Sequence, residues 1–316
     1  MKVAICGTWH VHATDYTKVA LETEGVEVIG FYEESPVHRE KFASKFDIKA
    51  FDSFEELLAS DAEAVIVCTS TDVHADYMVK IAQAKKDIFT EKILAFTVEE
   101  CEQIKKAVEE NGVRFVISLF QKFRSGVRTV KNVADSGELG RINFVRFRNS
   151  HAGSTGRWLP EHFFNKKECG GGAMIDLGAH GMYLIEWLLG LPSKYMSSFT
   201  VWDNNEKNMD SLEDNAVTVM TYDDGTIAIN ETAFVTLSTP SSFEVSGDKG
   251  FVRYTAGEGV VKSTKDTERK IVKVEEEGDL PLPIEQFLTG KTVDGCGMEE
   301  AINLTKMMIG AYGGAA

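Results

Sequence analysis

The chain has 316 residues, 43% of them apolar and 26% charged, and a formal net charge of −15. That length allows two domains with separate cores, and the composition excludes a disordered or fibrous chain. The acidic balance repels phosphate backbones and anionic lipid, which argues against nucleic-acid and membrane partners but leaves room for a dinucleotide held by local backbone dipoles.

In chain order, the first 118 residues alternate short apolar runs with amphipathic stretches. Strands are predicted at 3–6, 26–31, 64–68, 87–90 and 114–118, with helices at 11–23, 36–46, 53–59, 72–84 and 98–111. Ser53 with Glu56, and Thr97 with Glu100, have capping-box spacing. Strands alternating with helices imply right-handed βαβ units and a doubly wound parallel sheet.

Beyond about residue 120 the rhythm changes. A helix is predicted at 125–136, a strand at 142–149, a stretch containing Gly, Trp and His, and a helix at 173–189. The sequence from 195 to 274 is strand-like, with hairpin signals at Asp223-Asp224-Gly225 and Gly247-Asp248-Lys249-Gly250. Helices at 283–288 and 298–312 follow. The fold class is therefore α/β, with an N-terminal Rossmann doubly wound sheet over 1–119. The second domain, 120–316, is α+β and is built on a large open, mostly antiparallel sheet. Helices cover one face of that sheet. A second copy of the chain is the economical cover for the other, so a homodimer or homotetramer is expected.

The five cysteines are scattered and form no CxxC pair. They read as reduced, mostly buried thiols. Lys2 opens directly onto the apolar run at 3–6, too brief for a signal-peptide core, and no run is long enough to span a bilayer. A cytoplasmic location is expected.

The chemistry-bearing segments begin at Gly7-Thr8-Trp9-His10-Val11-His12, where the first strand turns into the first helix. A dinucleotide-binding GxGxxG loop belongs here, but only its first glycine is present; Trp9 and His12 hold the other two places. His10 and His12 have no carboxylate or Cys at ligand spacing, so no metal is expected. Glu33 ends the second strand, placed to accept hydrogen bonds from ribose hydroxyls and to repel a 2′-phosphate, favouring NAD over NADP. Thr69-Ser70-Thr71 with His74, and Glu91-Lys92, lie at carboxyl ends of parallel strands, where open α/β sheets bind ligands. Lys92 is suited to proton transfer there. The Gly170–Gly171–Gly172 run leads to Asp176 and His180, spaced i, i+4 and so on one helix face, a carboxylate–imidazole pair suited to acid/base work. Arg157 and Trp158 are candidate substrate contacts, since Arg binds hydroxyls or anions and Trp stacks on sugar faces.

In order and spacing, these segments resemble the glucose–fructose oxidoreductase / inositol dehydrogenase (Gfo/Idh/MocA) family. The segments are the Thr-rich turn with His74, Asp87-Ile88-Phe89-Thr90-Glu91-Lys92, the turn at 136–142, the block at 170–180, and Trp187-Leu188-Leu189-Gly190. The resemblance covers essentially the whole chain. It implies an NAD-dependent oxidoreductase acting on a secondary hydroxyl of a sugar, cyclitol or related polyol, with Lys92, Asp176 and His180 as the catalytic trio. It also implies cofactor contacts from Gly7 through His12, from Glu33, from Thr69, Ser70, Thr71 and His74, and from Glu91, Lys92 and Gln121. Two other readings use the same fold: an NAD-retaining glycoside-cleaving or lyase enzyme, and a non-catalytic NAD- or sugar-binding sensor. The sequence departs from the family pattern at several places. Ile93 stands where the family has proline after the Lys, so no cis peptide is expected there. Tyr183 stands where an acid often follows the motif histidine, and Lys122 where an Arg is common.

Overall fold

Strands β1 (Lys2–Cys6), β2 (Glu27–Tyr32), β3 (Ala64–Val67), β4 (Asp87–Thr90) and β5 (Phe115–Ile117) are joined by helices α1 (Ala13–Glu22), α2 (Pro36–Phe46), α3 (Phe54–Ala59), α4 (His74–Gln83) and α5 (Val98–Asn111). The computed structural model describes residues 1–237 and 239–313. The strands pair in the order β2-β1-β3-β4-β5, all parallel. Every residue of β3 is buried, as is all of β1 after Lys2. A parallel sheet covered on both faces is why these strands read as unbroken apolar runs. The chain leaves β1 in one direction for β2 and pairs with β3 on the other side. This switch point opens a crevice at the carboxyl ends of β1 and β3.

Local signals explain the helix starts. Thr97 and Glu100 form the full capping box on α5. At α3 only half of the expected box forms. Ser53 Oγ accepts from the Glu56 amide at 3.1 Å, but the Glu56 carboxylate turns to the Asp52 amide and Lys49.

The second sheet has eight strands: β6 (Ile142–Ser150), β7 (Lys194–Thr200), β8 (Asn215–Thr221), β9 (Ile227–Ala233), β10 (Ser242–Gly247), β11 (Gly250–Thr255), β12 (Gly259–Thr264) and β13 (Val272–Val274). Their order is β13-β12-β11-β10-β6-β9-β8-β7, antiparallel throughout except between β6 and β9. Both hairpin turns form where expected: Gly225 at φ +89° between β8 and β9, and Gly247 paired with Gly250 between β10 and β11. Four helices accompany this sheet: α6 (Ser125–Asp135), α7 (Lys166–Cys169), α8 (Ala173–Asp176) and α9 (Gly178–Leu189). α6 packs on β10, β11 and β12, and α8 and α9 pack on β6, β8 and β9. They bury alternate residues such as Ala216, Thr218, Met220, Ala228 and Asn230. The single helix expected over 173–189 is divided at Leu177.

Helices α10 (Pro283–Leu288) and α11 (Met298–Ala311) end the described chain. One compact unit comprises 1–119 with 281–305, the other 120–280 with the residues from 306 on. The single boundary expected at 119/120 is thus corrected, because 281–305 rejoins the first unit. Phe287 packs against Phe89 at 5.6 Å and under the Arg114 guanidinium at 4.7 Å, and the Ile117 amide donates to Cys296 O. These contacts join residues far apart in sequence, so no local pattern signals them. All five cysteines are free and buried. No described helix is long and apolar enough to cross a membrane.

Candidate active-site residues

In the first unit, the turn after β1 is built around Gly7, at φ +80°. A Cβ there would lie 2.5 Å from Thr69 Cγ2, so this position needs glycine for both conformation and space. The loop's amides are largely committed within the protein. Gly7 N donates to Tyr32 O, His10 N to Cys68 O and Thr8 N to Glu33 Oε2. Glu33 is buried and accepts three hydrogen bonds: from Thr8 N and Thr8 Oγ1, each at 2.7 Å, and from Ser35 N at 2.9 Å. It therefore fixes the loop's shape as well as placing negative charge at the end of β2. Val11 is largely exposed, and Trp9 is half-buried with its ring tilted against His10.

His10, His12 and Glu91 converge behind this loop, with one ligand atom of each within 4.8 Å of the others. The carboxylate not found near the two histidines in the sequence comes from Glu91, 79 positions beyond His12. His12 Nδ1 lies 3.0 Å from Glu91 Oε1 and His10 Nε2 4.0 Å from Oε2. The Tyr16 hydroxyl and the Lys92 amide also donate to this carboxylate. Burial pushes the Glu91 carboxyl up, but the His10 and His12 imidazoles outweigh it and hold the group well below the usual carboxylate range. A metal at His10 Nε2 would require the ring hydrogen on Nδ1. Nδ1 instead accepts the His12 amide at 3.2 Å, which places the hydrogen on Nε2, towards Glu91. His12 and Glu91 form a hydrogen-bonded imidazole–carboxylate pair, with the His10 ring beside them.

Lys92 is buried, and its peptide bond to Ile93 is cis. The expectation of a trans bond rested on the missing proline, the residue that most often carries this geometry. His74, expected to contact the cofactor, is also buried, with Nδ1 within 3.1 Å of the Ile93 and Leu94 carbonyls and Nε2 3.2 Å from Thr69 O. It clamps the two strand-end loops together. Ser70 Oγ bonds Asp72, and Thr71 begins a short 3₁₀ turn. Thr69 Oγ1 is buried without a hydrogen-bond partner. An orphaned hydroxyl beside Gly7, at the switch point of the sheet, fits a polar ligand such as the ribose or diphosphate of a dinucleotide.

In the second unit, Asp176 ends α8 and His180 lies in the first turn of α9, the former half-buried and the latter buried. His180 Nδ1 is 3.0 Å from the Tyr183 hydroxyl, which also accepts the Gln121 amide at 3.1 Å. Gln121 lies in this unit. Burial lowers the pKa of His151, and the charge of Asp176 partly restores it.

The glycine run has a packing explanation. A Cβ on Gly171 would collide with the Tyr312 hydroxyl, and one on Gly172 with the Glu213 carbonyl. The buried Glu213 carboxylate accepts the Gly172 and Met174 amides, at 3.0 and 3.1 Å, and the Tyr312 hydroxyl. No nearby sequence signal points to Glu213 or Tyr312, which lie 41 and more than 100 positions beyond. Arg157, expected at the substrate, ion-pairs with Asp203 and donates to Ser154 O, which commits it to holding its own loop. Trp158 is exposed, with its ring against His151.

A doubly wound first unit with a ligand crevice at its switch point, and a second unit carrying a buried imidazole, fit a nicotinamide-dependent oxidoreductase. Residues 1–119 match the family described as oxidoreductase, NAD-binding Rossmann fold, and 127–253 match the GFO/IDH/MocA C-terminal domain. The chain belongs to the Gfo/Idh/MocA family of NAD-binding oxidoreductases. It is 26% identical over 258 residues to inositol 2-dehydrogenase of Salmonella typhimurium, covering 79% of this chain and 72% of the relative. It is 25% identical over 244 residues to 1,5-anhydro-D-fructose reductase of Ensifer adhaerens, covering 75% and 71%. The structure of an oxidoreductase from Thermotoga maritima superposes with a TM-score of 0.83 at 20% identity, over 99% of this chain and 97% of that one, and shows the same fold.

Proposed function

We propose that the protein interconverts a secondary hydroxyl of a sugar, cyclitol or related polyol with the corresponding carbonyl. The observation that carries this reading is that both proton-transfer candidates are buried: Lys92 with its backbone amide on Glu91, and His180 with its Nδ1 3.0 Å from the Tyr183 hydroxyl. The inositol dehydrogenase and anhydrofructose reductase relatives support the substrate class.

Gly7, Thr69 and Glu33 would hold NAD: Gly7 by leaving the loop compact, Thr69 through its orphaned hydroxyl, Glu33 by facing the adenosine ribose. NAD supplies the hydride acceptor or donor when bound. Of Lys92 and His180, one takes the hydroxyl proton and the other polarises the oxygen, while Asp176 sets the local charge. Trp158 offers its exposed ring to a sugar face.

The test is absorbance of reduced nicotinamide across a panel of sugars, inositols and glycosides. NADH formation with a polyol supports the reading. Absence of NADH with every member, together with absence of NAD binding by calorimetry, overturns it in favour of a sensor. Glycoside cleavage without net NADH marks an enzyme that reduces its own oxidised intermediate again.

A further inference from the structure

We propose that Asn230 is a positioning residue: it seats the join between α8 and α9 on the second sheet and so sets where Asp176 and His180 stand. This rests on the function proposed above, in which that pair acts on the substrate.

The backbone around the pair is held at two points by buried polar side chains. Asn230 is fully buried on β9, on the face that receives the helices, and pairs with Thr218 of β8 and Phe147 of β6. Its Nδ2 donates to the carbonyl of Gly178, the first residue of α9, at 2.8 Å. At the start of α8, Thr232 Oγ1 donates to the Ala173 carbonyl at 3.3 Å, while Glu213 accepts the Gly172 and Met174 amides. Asp176 lies between these two anchors in sequence, and His180 lies just past the second.

The packing at the second anchor is close. Gly178 and Gly181 are three positions apart and share one face of α9. A Cβ on Gly181 would collide with Asn230 Oδ1 and the Phe147 ring, and one on Gly178 with Met174 Sδ. The first turn of α9 therefore approaches β9 more nearly than any residue with a side chain would allow. Turning the Asn230 amide over would set its oxygen against the Gly178 carbonyl, two acceptors facing each other, so Nδ2 keeps that side. Oδ1 is left buried with no hydrogen-bond partner.

An orphaned amide oxygen inside a sheet–helix core is a cost that apolar packing avoids. Ala216, Met220 and Ala228, buried on the same face, carry no such cost. What Asn230 gains against it is one bond, to the carbonyl that opens α9. That bond fixes the height and rotation of the turn that carries His180, and with it the exit of the chain from Asp176. Asn230 thus acts through the backbone of Gly178.

Two substitutions in the full-length protein test this, each assayed where circular dichroism shows it folded. Asn230→Ala removes the bond without adding bulk. In its crystal structure the Gly178 carbonyl should shift and carry Asp176 and His180 with it. Its kcat should fall by about tenfold, while the NAD dissociation constant changes by less than about twofold. Asn230→Asp keeps the shape, and only its protonated carboxyl can donate to Gly178. Its kcat relative to wild type should therefore recover as the pH falls, which a general loss of packing would not produce. Should Asn230→Ala fail to fold, that pH dependence decides alone. Asp176 and His180 unmoved in Asn230→Ala would overturn the proposal, as would an Asn230→Asp rate ratio independent of pH. Displacement of the pair with full activity would leave the seat standing and overturn the function on which its role rests.

Discussion

At Gly7 a left-handed backbone coincides with a face pressed onto Thr69, so a methyl group there has neither the conformation nor the room. Gly7→Ala should weaken NAD binding by about tenfold or more, because the turn must open and carry Thr69 with it. Calorimetric titration decides this; an unchanged dissociation constant would show that the loop is not the cofactor cradle. Glu33 is fixed by three hydrogen bonds, so its charge cannot swing away from a 2′-phosphate. NADP(H) should bind at least about ten times more weakly than NAD(H), and Glu33→Gln should narrow the gap. Gly7 and Glu33 could be picked out from sequence because spacing along one strand–turn–helix unit defines their places. Tyr183 was visible only as a departure from the family pattern, since the amide that bonds its hydroxyl lies 62 positions away. The commitment of Arg157 to Asp203 was hidden for the same reason.

The strands and helices of the first sheet could be located almost to the residue, because each buries a continuous apolar run and several helices carry strong caps. The break at Leu177 was not legible. Nor was the capture of the start of α8 by Glu213 through the Gly172 and Met174 amides, since no local pattern announces a cap that far along the chain. The cluster on Glu91 ties β4 to the turn before α1 and makes that junction acid-sensitive. Its carboxyl sits below its ordinary value of 4.5 in the folded state, so the ionised form favours folding. That contribution is fully present above about pH 4.5 and is lost as the pH falls through the lower folded value. Wild type should melt well above Glu91→Gln at pH 7, with the difference holding down to about pH 4.5 and shrinking only as the pH is lowered further. A difference independent of pH would contradict the ionised assignment.

Across the second sheet, the face away from α6, α8 and α9 has a mixed character. Met196, Val219 and Ile229 form a cross-strand row that continues into Arg146 and Glu244. Arg146 and Arg148 pair with Glu231, and Arg253 with Glu244. We propose this face as the contact between copies of the chain, apolar at the β7 side and ionic towards β10. Light scattering at micromolar concentration should give a dimer or tetramer, and Val219→Asp should reduce it to the monomer; a monomeric wild type would remove the proposal. The alternation of the strands foretold an open face but not its charges, which arise from pairing between distant strands.

We propose that Lys92 and His180 move the protons that accompany hydride transfer. Steady-state kinetics of Lys92→Ala and His180→Ala, beside NAD titrations of both, test it most directly. Each substitution should lower kcat by about 10²–10⁴-fold while NAD affinity changes far less. A His180→Ala enzyme that binds NAD normally and turns over at close to the wild-type rate would contradict the account.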